Sequence, residues 1–181
     1  MPEKPQIKAR KQVARTRLFC VEELELEFSN GEKRIYERMV SGGSGAVMIV
    51  PVTERNELVL IREYSAGTDD YQLAFPKGLM DDGESVFEAA NRELKEEIGF
   101  GARQLQQLKS MTLAPGYFTH KMNLVLAQSL YPEKLEGDEP EPLEVVYWPI
   151  SKIDGLIEQA DFTEARSIAA LLMVERYFKK G

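Results

Sequence analysis

The alternation of hydrophobic and polar positions changes between a strand-like and a helix-like period along the chain. Between Phe19 and Phe28 apolar and acidic residues alternate, as in a half-buried strand, although the phase slips near Glu22. Turn residues follow at positions 29–31 (Ser-Asn-Gly), and charged and apolar residues then alternate over residues 33–40. This order predicts an antiparallel hairpin.

Further strands and two helices are predicted after the hairpin. Apolar runs bounded by turn residues predict strands over residues 46–52, 58–61, 71–75, 122–127 and 143–148. Apolar residues at helical spacing predict amphipathic helices over residues 86–98 and 163–178. Helices and strands interspersed in this way indicate an α/β domain.

The composition predicts a single globular domain. The chain has 181 residues, of which 43% are hydrophobic and 29% charged, as is typical of folded domains of roughly 100 to 200 residues. The longest apolar run, residues 46–52, is far shorter than the ~20 residues of a membrane-spanning helix. No apolar stretch precedes Leu18, as a secretory signal would require. We therefore expect a cytoplasmic location and no membrane partner.

Charge and cysteine content argue against two further classes. The net charge of −7 argues against binding of nucleic acid by the bulk surface. The first 17 residues hold six Lys or Arg but no aromatic residue to stack on bases, so we interpret them as a solvated leader with little periodicity. Cys20 is interpreted as a small buried packing residue, and with the lone His120 it leaves no cluster for zinc.

A glycine-rich joint divides the chain. Residues 41–45 (Ser-Gly-Gly-Ser-Gly) have the composition of a short flexible joint. We therefore expect residues 1–42 to form the leader and hairpin, and residues 43–181 the main domain. Two strands are not stable alone and need a partner sheet, which predicts a homodimer built partly from the hairpin.

One segment, residues 78–100, carries the chemistry. Ser85 with Glu88 three residues later forms a capping box, and Gly99 stands where a left-handed C-terminal residue belongs, so a helix is predicted over residues 86–98. Apolar residues at positions 86, 90 and 94 lie on one stripe of this helix. That stripe should pack on the sheet.

The same helix carries three glutamates within reach of one another. Glu93, Glu96 and Glu97 lie at i, i+3 and i+4. A solvated, salt-bridged helix face is the simpler explanation. However, residues 81–97 hold seven acids against two bases, a charge that a hard divalent cation would relieve. Carboxylates without His or Cys suit Mg²⁺ or Mn²⁺, and a phosphate can then bind through the cation.

The spacing of this segment resembles the Nudix box at every defining position. The matching residues are Gly78, Glu84, Arg92, Glu93, Leu94, Glu96, Glu97, Gly99 and Phe100. The resemblance implies an α/β/α sandwich around a mixed sheet, here with an N-terminal antiparallel hairpin extension. It also implies hydrolysis of a nucleoside diphosphate linked to a further group X.

The resemblance also implies roles for individual residues. Glu93, Glu96 and Glu97 would bind the metal, Arg92 would hold these glutamates in place, and Glu84 would support the loop and helix. The main-chain carbonyl of Lys77 would be a further metal ligand. The lysine is a departure, because alanine is common there in the ADP-ribose group, but any residue supplies the carbonyl.

Residues flanking the box indicate the substrate class. Pro115 lies sixteen residues after Gly99, where ADP-ribose-type Nudix enzymes characteristically carry a proline, and Tyr117 lies at eighteen, near the tyrosine of dinucleoside polyphosphatases. Arg62 resembles the arginine that ADP-ribose pyrophosphatases carry on a strand before the box, where it contacts a substrate phosphate. The structural alternative is that Arg62 forms a salt bridge with Glu63 or Asp69 at the edge of the sheet. Most of the chain resembles the ADP-ribose pyrophosphatase-like subgroup, and within it bacterial hydrolases of ADP compounds.

That subgroup implies a reaction and leaves an alternative open. The implied activity is Mg²⁺-dependent hydrolysis of ADP-X compounds (ADP-ribose, diadenosine polyphosphates, NADH) to AMP and a phosphorylated X. The alternative is a Nudix-fold sensor that binds ADP-ribose or NAD without turnover. The complete glutamate trio favours the enzyme. In the resembling enzymes the partner subunit's sheet helps to close the adenine pocket.

The general base is predicted on an acidic loop after the box. Residues 135–142 read Leu-Glu-Gly-Asp-Glu-Pro-Glu-Pro, which is either a solvated turn or a loop that folds over the substrate. We expect the base to be Glu139 first and Glu141 second, with Glu97 as the alternative on the helix.

Overall fold

The computed structural model describes residues 3–179. The strands are β1 (Gln6–Arg15), β2 (Cys20–Glu27), β3 (Lys33–Val40), β4 (Ala46–Pro51), β5 (Glu57–Ser65), β6 (Asp70–Ala74), β7 (Lys77–Leu79), β8 (Phe100–Thr112), β9 (Lys121–Pro132) and β10 (Glu144–Pro149). The helices are α1 (Val86–Glu97), α2 (Ile153–Ile157) and α3 (Ala165–Phe178).

Two sheets form the middle layer of the main domain. One has the strand order β7-β4-β9-β8 and the other β10-β5-β6. β4 and β9 are parallel, whereas the other described pairs in these two sheets are antiparallel. The sheet arrangement is therefore mixed, as the resemblance implied.

The core lies on both faces of this layer. Successive residues of β4 are fully buried but belong to opposite faces, because side chains alternate along a strand. Val47 and Ile49 pack with α1, while Met48 and Val50 pack with α2 and α3. This arrangement confirms the α/β/α sandwich and explains why β4 reads as a continuous apolar run.

β7 positions the start of the box against the helix. This three-residue strand pairs with β4, with Met48 opposite Lys77 and Val47 opposite Gly78. The stripe on α1 faces the same sheet, because Ala89, Ala90 and Leu94 are fully buried. The prediction that the apolar stripe packs on the sheet is confirmed.

The N-terminal segment is a three-stranded antiparallel sheet with the order β1-β2-β3. The predicted hairpin is confirmed, since β2 and β3 pair from Cys20 with Val40 to Glu27 with Lys33. The sequence did not predict β1, which residues 6–15 form within the solvated leader. Every residue of β1 is exposed. Main-chain pairing with β2 holds this strand in place. Because neither of its faces is buried, its sequence shows no sustained alternation of apolar and polar residues.

Two other sequence interpretations differ from the structure. Cys20 is only partly buried, and its thiol lies 3.5 Å from the Gln12 side-chain oxygen across the β1–β2 pair. The strand β8 was not predicted because its residues are mostly polar and partly exposed. Among residues 3–179, no helix is long and apolar enough to cross a membrane.

Candidate active site

The start of α1 fixes where the glutamates lie. The amide of Glu88 donates to the Ser85 hydroxyl at 3.3 Å, and the amide of Ser85 donates to the Glu88 carboxylate at 2.9 Å. This reciprocal capping box confirms the predicted helix start. With the apolar stripe against the sheet, Glu93 and Glu97 become buried beside β7. A Cβ on Gly78 would overlap the Glu93 carboxylate, so only glycine allows this approach.

Arg92 connects the acids of the box. Its guanidinium bonds the carboxylate of Glu84 at 3.0 Å, that of Glu93 at 2.7 Å and that of Glu96 at 2.9 Å. It also donates to the Leu79 carbonyl oxygen at 2.8 Å. The hydrogen bond to Glu84 is the largest of the effects that raise the pKa of Arg92. Arg92 therefore holds the loop before the helix and two glutamates of the trio together.

Burial disfavours negative charge on two glutamates. Desolvation raises the pKa of Glu93 to about 7, despite the opposing effect of Arg92. It also raises the pKa of Glu97 well above its ordinary value, although the positive charge of Lys77 acts in the opposite direction. One oxygen of Glu97 accepts the Lys77 amide at 3.0 Å. The positive charges of Arg92 and Lys77 therefore do not fully offset the burial of these two carboxylates.

These acids line an open cleft of about 690 Å³, which we call the acidic cleft. It is lined by Glu63, Lys77, Gly78, Leu79, Asp81, Arg92, Glu93, Glu96, Glu97 and residues 136–140. Within residues 3–179, no three His, Cys, Asp or Glu side chains surround a common metal position. Arg92 instead bridges Glu93 and Glu96. The donors are nevertheless carboxylate and carbonyl oxygens beside desolvated acids, a set that fits a hard divalent cation.

The structure separates the two loop glutamates. Glu139 lines the acidic cleft together with the trio, and its charge contributes to the raised pKa of Glu93. Glu141 instead accepts a short hydrogen bond from the Tyr71 hydroxyl. It lines an adjoining cavity of about 300 Å³ with Arg62, which we call the Arg62 cavity; Glu139 lies at the boundary and lines both spaces. The acidic loop thus brings Glu139 to the glutamate trio and leaves Glu141 outside the cleft.

Arg62 is held by two carboxylates from distant parts of the chain. It bonds Glu144 at 2.6 Å and Asp161 at 2.9 Å, and these partners raise its pKa. The predicted alternative partners Glu63 and Asp69 are therefore wrong. Both actual partners follow Arg62 by more than 80 residues, so sequence proximity could not identify them.

Pro115 and Tyr117 lie outside the acidic cleft. They belong to the loop between β8 and β9, and the Tyr117 side chain is largely exposed. The Tyr117 carbonyl accepts the Met39 amide at 2.7 Å. The structure therefore places this loop against the end of β3, beside the N-terminal sheet.

One feature of the site was absent from the sequence prediction. The Lys77 ammonium bonds the Glu63 carboxylate at 2.6 Å, across two different sheets. The sequence pointed only to the carbonyl of Lys77. No local pattern joins residues 63 and 77, because their contact depends on how β5 and β7 are brought together.

Comparisons with known proteins agree with this geometry. Residues 5–38 match the model of the NudE-type Nudix hydrolase N-terminal domain, and residues 44–171 match that of the NUDIX domain. The chain is 57% identical to the ADP compounds hydrolase NudE of Escherichia coli (strain K12), over 98% of this chain and 95% of that protein.

A more distant relative and a solved structure also match most of the chain. An ADP-ribose pyrophosphatase of Bacillus subtilis (strain 168) is 26% identical, over 89% of this chain and 90% of that protein. A crystal structure of an ADP compounds hydrolase, 56% identical, superposes with a TM-score of 0.93 and covers 99% of this chain and 97% of that one.

Proposed function

The chain belongs to the Nudix family and is a Nudix pyrophosphohydrolase, and on that premise we propose that it cleaves ADP-X compounds to AMP and a phosphorylated X with Mg²⁺. The proposed substrates are ADP-ribose, diadenosine polyphosphates and NADH. The observation that carries the proposal is the acidic cleft, where buried glutamates face a loop carboxylate. Such a site binds a diphosphate only if cations offset its charge.

The box residues hold the proposed metal. Glu93, Glu96, Glu97 and the carbonyl of Lys77 are the proposed Mg²⁺ ligands, with Mn²⁺ as a substitute. When bound, the cation neutralises diphosphate charge and lowers the pKa of a coordinated water. Arg92 keeps the glutamates on one side of the cleft.

Glu139 is the proposed general base. Its support is that it lines the same cleft as the glutamate trio and that its charge acts on Glu93. Its carboxylate accepts a proton from the attacking water, a role that requires hydrogen-bond reach of that water. Glu141 is the second choice because Tyr71 holds it outside the cleft, and Glu97 is the alternative within the box.

Substrate contacts are proposed on both sides of the cleft. Arg62 contacts a substrate phosphate from the neighbouring cavity, exchanging a carboxylate partner for the phosphate. Pro115 and Tyr117 contact the substrate from the loop beside the N-terminal sheet. This last contact is supported by the attachment of that loop to β3.

The proposed assembly is a homodimer. Residues 1–42 form the dimerisation segment and residues 43–181 the catalytic domain. The support is the exposure of the N-terminal segment in the single chain: Ile35 and Tyr36 of β3, and Leu18 and Phe19 between β1 and β2, are large apolar residues that are exposed. The cytoplasmic location and the absence of a nucleic-acid partner stay predictions from the sequence.

A substrate panel tests the function against the sensor alternative. ADP-ribose, diadenosine triphosphate, NADH and GDP-mannose are incubated with the full-length protein and Mg²⁺, and release of AMP or GMP is measured by chromatography. We expect AMP from the ADP compounds and a much slower reaction of GDP-mannose. Tight binding of ADP-ribose with no AMP release would support the sensor instead.

A further inference from the structure

Lys77 lies in the wall between two cavities. On one side is the acidic cleft. On the other is a cavity of about 440 Å³, which we call the Phe118 cavity; its lining includes Leu113, Phe118, His120 and Arg166. Both cavities are lined by Glu63, Lys77, Gly78 and Leu79. A ligand that extends from the glutamate trio into the Phe118 cavity must pass the Lys77 side chain.

Other cations near the cleft are already committed. Arg92 bonds three carboxylates and a carbonyl oxygen, and Arg62 is bonded by two carboxylates. Lys77 bonds one carboxylate, that of Glu63. Glu63 lies on β5 and does not belong to the glutamate trio, so a ligand that replaces it at Lys77 displaces none of the proposed metal ligands.

The Lys77–Glu63 pair has unequal exposure. The Lys77 side chain is 19% exposed and that of Glu63 is 37% exposed. Water can therefore solvate the Glu63 carboxylate when its partner leaves, whereas the less exposed ammonium requires a replacement anion. A diphosphate supplies more negative charge than one carboxylate, and the flexible lysine stem lets the ammonium follow it.

We propose that Lys77 is a substrate-binding residue whose ammonium leaves Glu63 and binds the diphosphate of the substrate at the boundary between the two cavities. Glu63 then acts as a competitor that holds the ammonium while the site is empty. This inference rests on the proposed function, because it assumes a diphosphate in the acidic cleft. It assigns the Lys77 side chain a role separate from that of its carbonyl.

Opposite effects of two substitutions test the exchange. Methylenediphosphonate, a diphosphate that cannot be hydrolysed, is titrated with saturating Mg²⁺ into wild type, Lys77→Met and Glu63→Gln by calorimetry. We expect Lys77→Met to weaken binding about 10-fold or more, because it removes a charge-assisted contact. Glu63→Gln should bind equally or more tightly, because it removes the competitor. Equal weakening of diphosphate binding in both variants would overturn the proposal. It would mean that the ion pair is purely structural, because removal of either partner then has the same effect.

Conservative and kinetic variants separate the remaining explanations. Lys77→Arg should bind methylenediphosphonate nearly as tightly as wild type. If circular dichroism shows that Lys77→Met is not folded, Lys77→Gln takes its place. With ADP-ribose, Lys77→Met should raise KM about 10-fold with a smaller change in kcat, as expected for a lost binding contact. The Mg²⁺ concentration for half-maximal activity should not rise, because the carbonyl ligand remains.

The outcomes also distinguish this inference from the proposed function. Wild type that binds methylenediphosphonate but releases no AMP from ADP-ribose would refute the function, and the comparison of variants would still decide the role of Lys77. Wild type that does not bind methylenediphosphonate, or a Lys77→Met variant that binds like wild type, would overturn the inference.

Discussion

At the scale of single residues, the candidate site contains carboxylates whose pKa is raised by burial and lowered by neighbouring positive charges. Glu93 and Glu97 are less than a tenth exposed, and desolvation raises the pKa of both. Arg92 offsets part of the charge on Glu93. Such residues are costly for folding but suited to bind a cation, which is why they mark the functional site.

The first prediction concerns Glu97→Gln. The amide oxygen of glutamine can still accept the Lys77 amide, and the buried charge is removed, so the free energy of unfolding without metal at about pH 7 should not fall. The kcat should fall ~100-fold or more, because a proposed metal ligand loses its charge. Chemical unfolding and AMP-release assays measure the two effects.

Glu88→Gln is the matched control for that variant. Glu88 lies on the same helix and is exposed, and glutamine can replace glutamate in a capping box. Its kcat should stay within about 3-fold of wild type. A near-normal kcat for Glu97→Gln would contradict the assignment of the metal site.

The second prediction compares the two loop glutamates. Glu139→Gln should lower kcat about 100-fold with little change in the Mg²⁺ requirement, because the base is lost and the metal ligands remain. Glu141→Gln should lower it only a few-fold, since Tyr71 holds this side chain outside the cleft. If neither variant loses more than a few-fold, the loop is structural and the base lies in the box.

At the scale of elements, both long helices begin with a side-chain cap, and at α3 a tertiary contact reinforces it. At α3 the Glu164 carboxylate accepts the Ser167 amide at 2.9 Å and the Ser167 hydroxyl at 2.8 Å. The same hydroxyl oxygen accepts the Phe75 amide at 3.2 Å in the core. The cap therefore joins the helix start to the end of the β6 segment.

The third prediction is that Glu164→Ala lowers the free energy of unfolding by about 1–2 kcal/mol, the usual cost of losing a helix cap. Urea unfolding at about pH 7 measures it. Glu175→Ala, on the same helix but away from its start, is the control and should cost less than half as much. Equal losses in both variants would contradict a capping role.

The fourth prediction concerns the pH dependence of the same cap. Burial raises the pKa of Glu164, but hydrogen bonds from Arg166 and Ser167 outweigh it, so the pKa lies below its ordinary value of 4.5. A lowered pKa in the folded state stabilises the fold above that ordinary value, and the stabilisation is lost as pH falls through the lowered pKa. Wild type should be more stable than Glu164→Gln at about pH 7, and the difference should shrink below about pH 4. A difference independent of pH would contradict it.

At the scale of the whole molecule, the N-terminal sheet contrasts with the main domain. All of β4 is buried, whereas all of β1 and most of β3 are exposed. Hydrogen bonds tie the end of β3 to the main domain, through Met39 to the loop at Tyr117 and through Ser41 to His120 at 2.9 Å. A small sheet with so little burial needs further apolar contact to be stable, and in the proposed homodimer a second copy supplies it.

The fifth prediction is that the double variant Ile35→Glu, Tyr36→Glu dissociates the dimer. The two residues are adjacent on β3 and point to opposite faces, so either face is disrupted if it forms the interface. Both are exposed in the single chain and lie outside the main domain, so the main domain of the monomer should still fold. Sedimentation should give a dimer for wild type and a monomer for the variant.

Leu172→Glu is the control, because Leu172 is an exposed apolar residue on α3, outside the N-terminal sheet. It should sediment like wild type. A wild-type monomer with full activity at nanomolar concentration would contradict the proposed dimer.

The sequence alone determined the features that depend on neighbours along the chain. The capping box, the apolar stripe of α1 and the spacing of the glutamates are local, because a helix brings residues three and four apart together. The predicted strands from residue 46 onward match β4, β5, β6, β9 and β10 because burial leaves apolar runs. These features predicted an α/β domain, and the resemblance of residues 78–100 to the Nudix box then implied the family and its sandwich fold.

Tertiary structure decided the features that depend on distant segments. Exposed strands such as β1 and β8 are held by main-chain pairing, which carries no side-chain signature. Glu63 meets Lys77, and Arg62 meets Asp161, only after separate strands and loops are assembled. The position of Glu139 in the lining of the acidic cleft, and of Glu141 outside it, likewise depends on how one loop folds. Residue types and spacing show which groups could act, but only packing decides which of them face the same space.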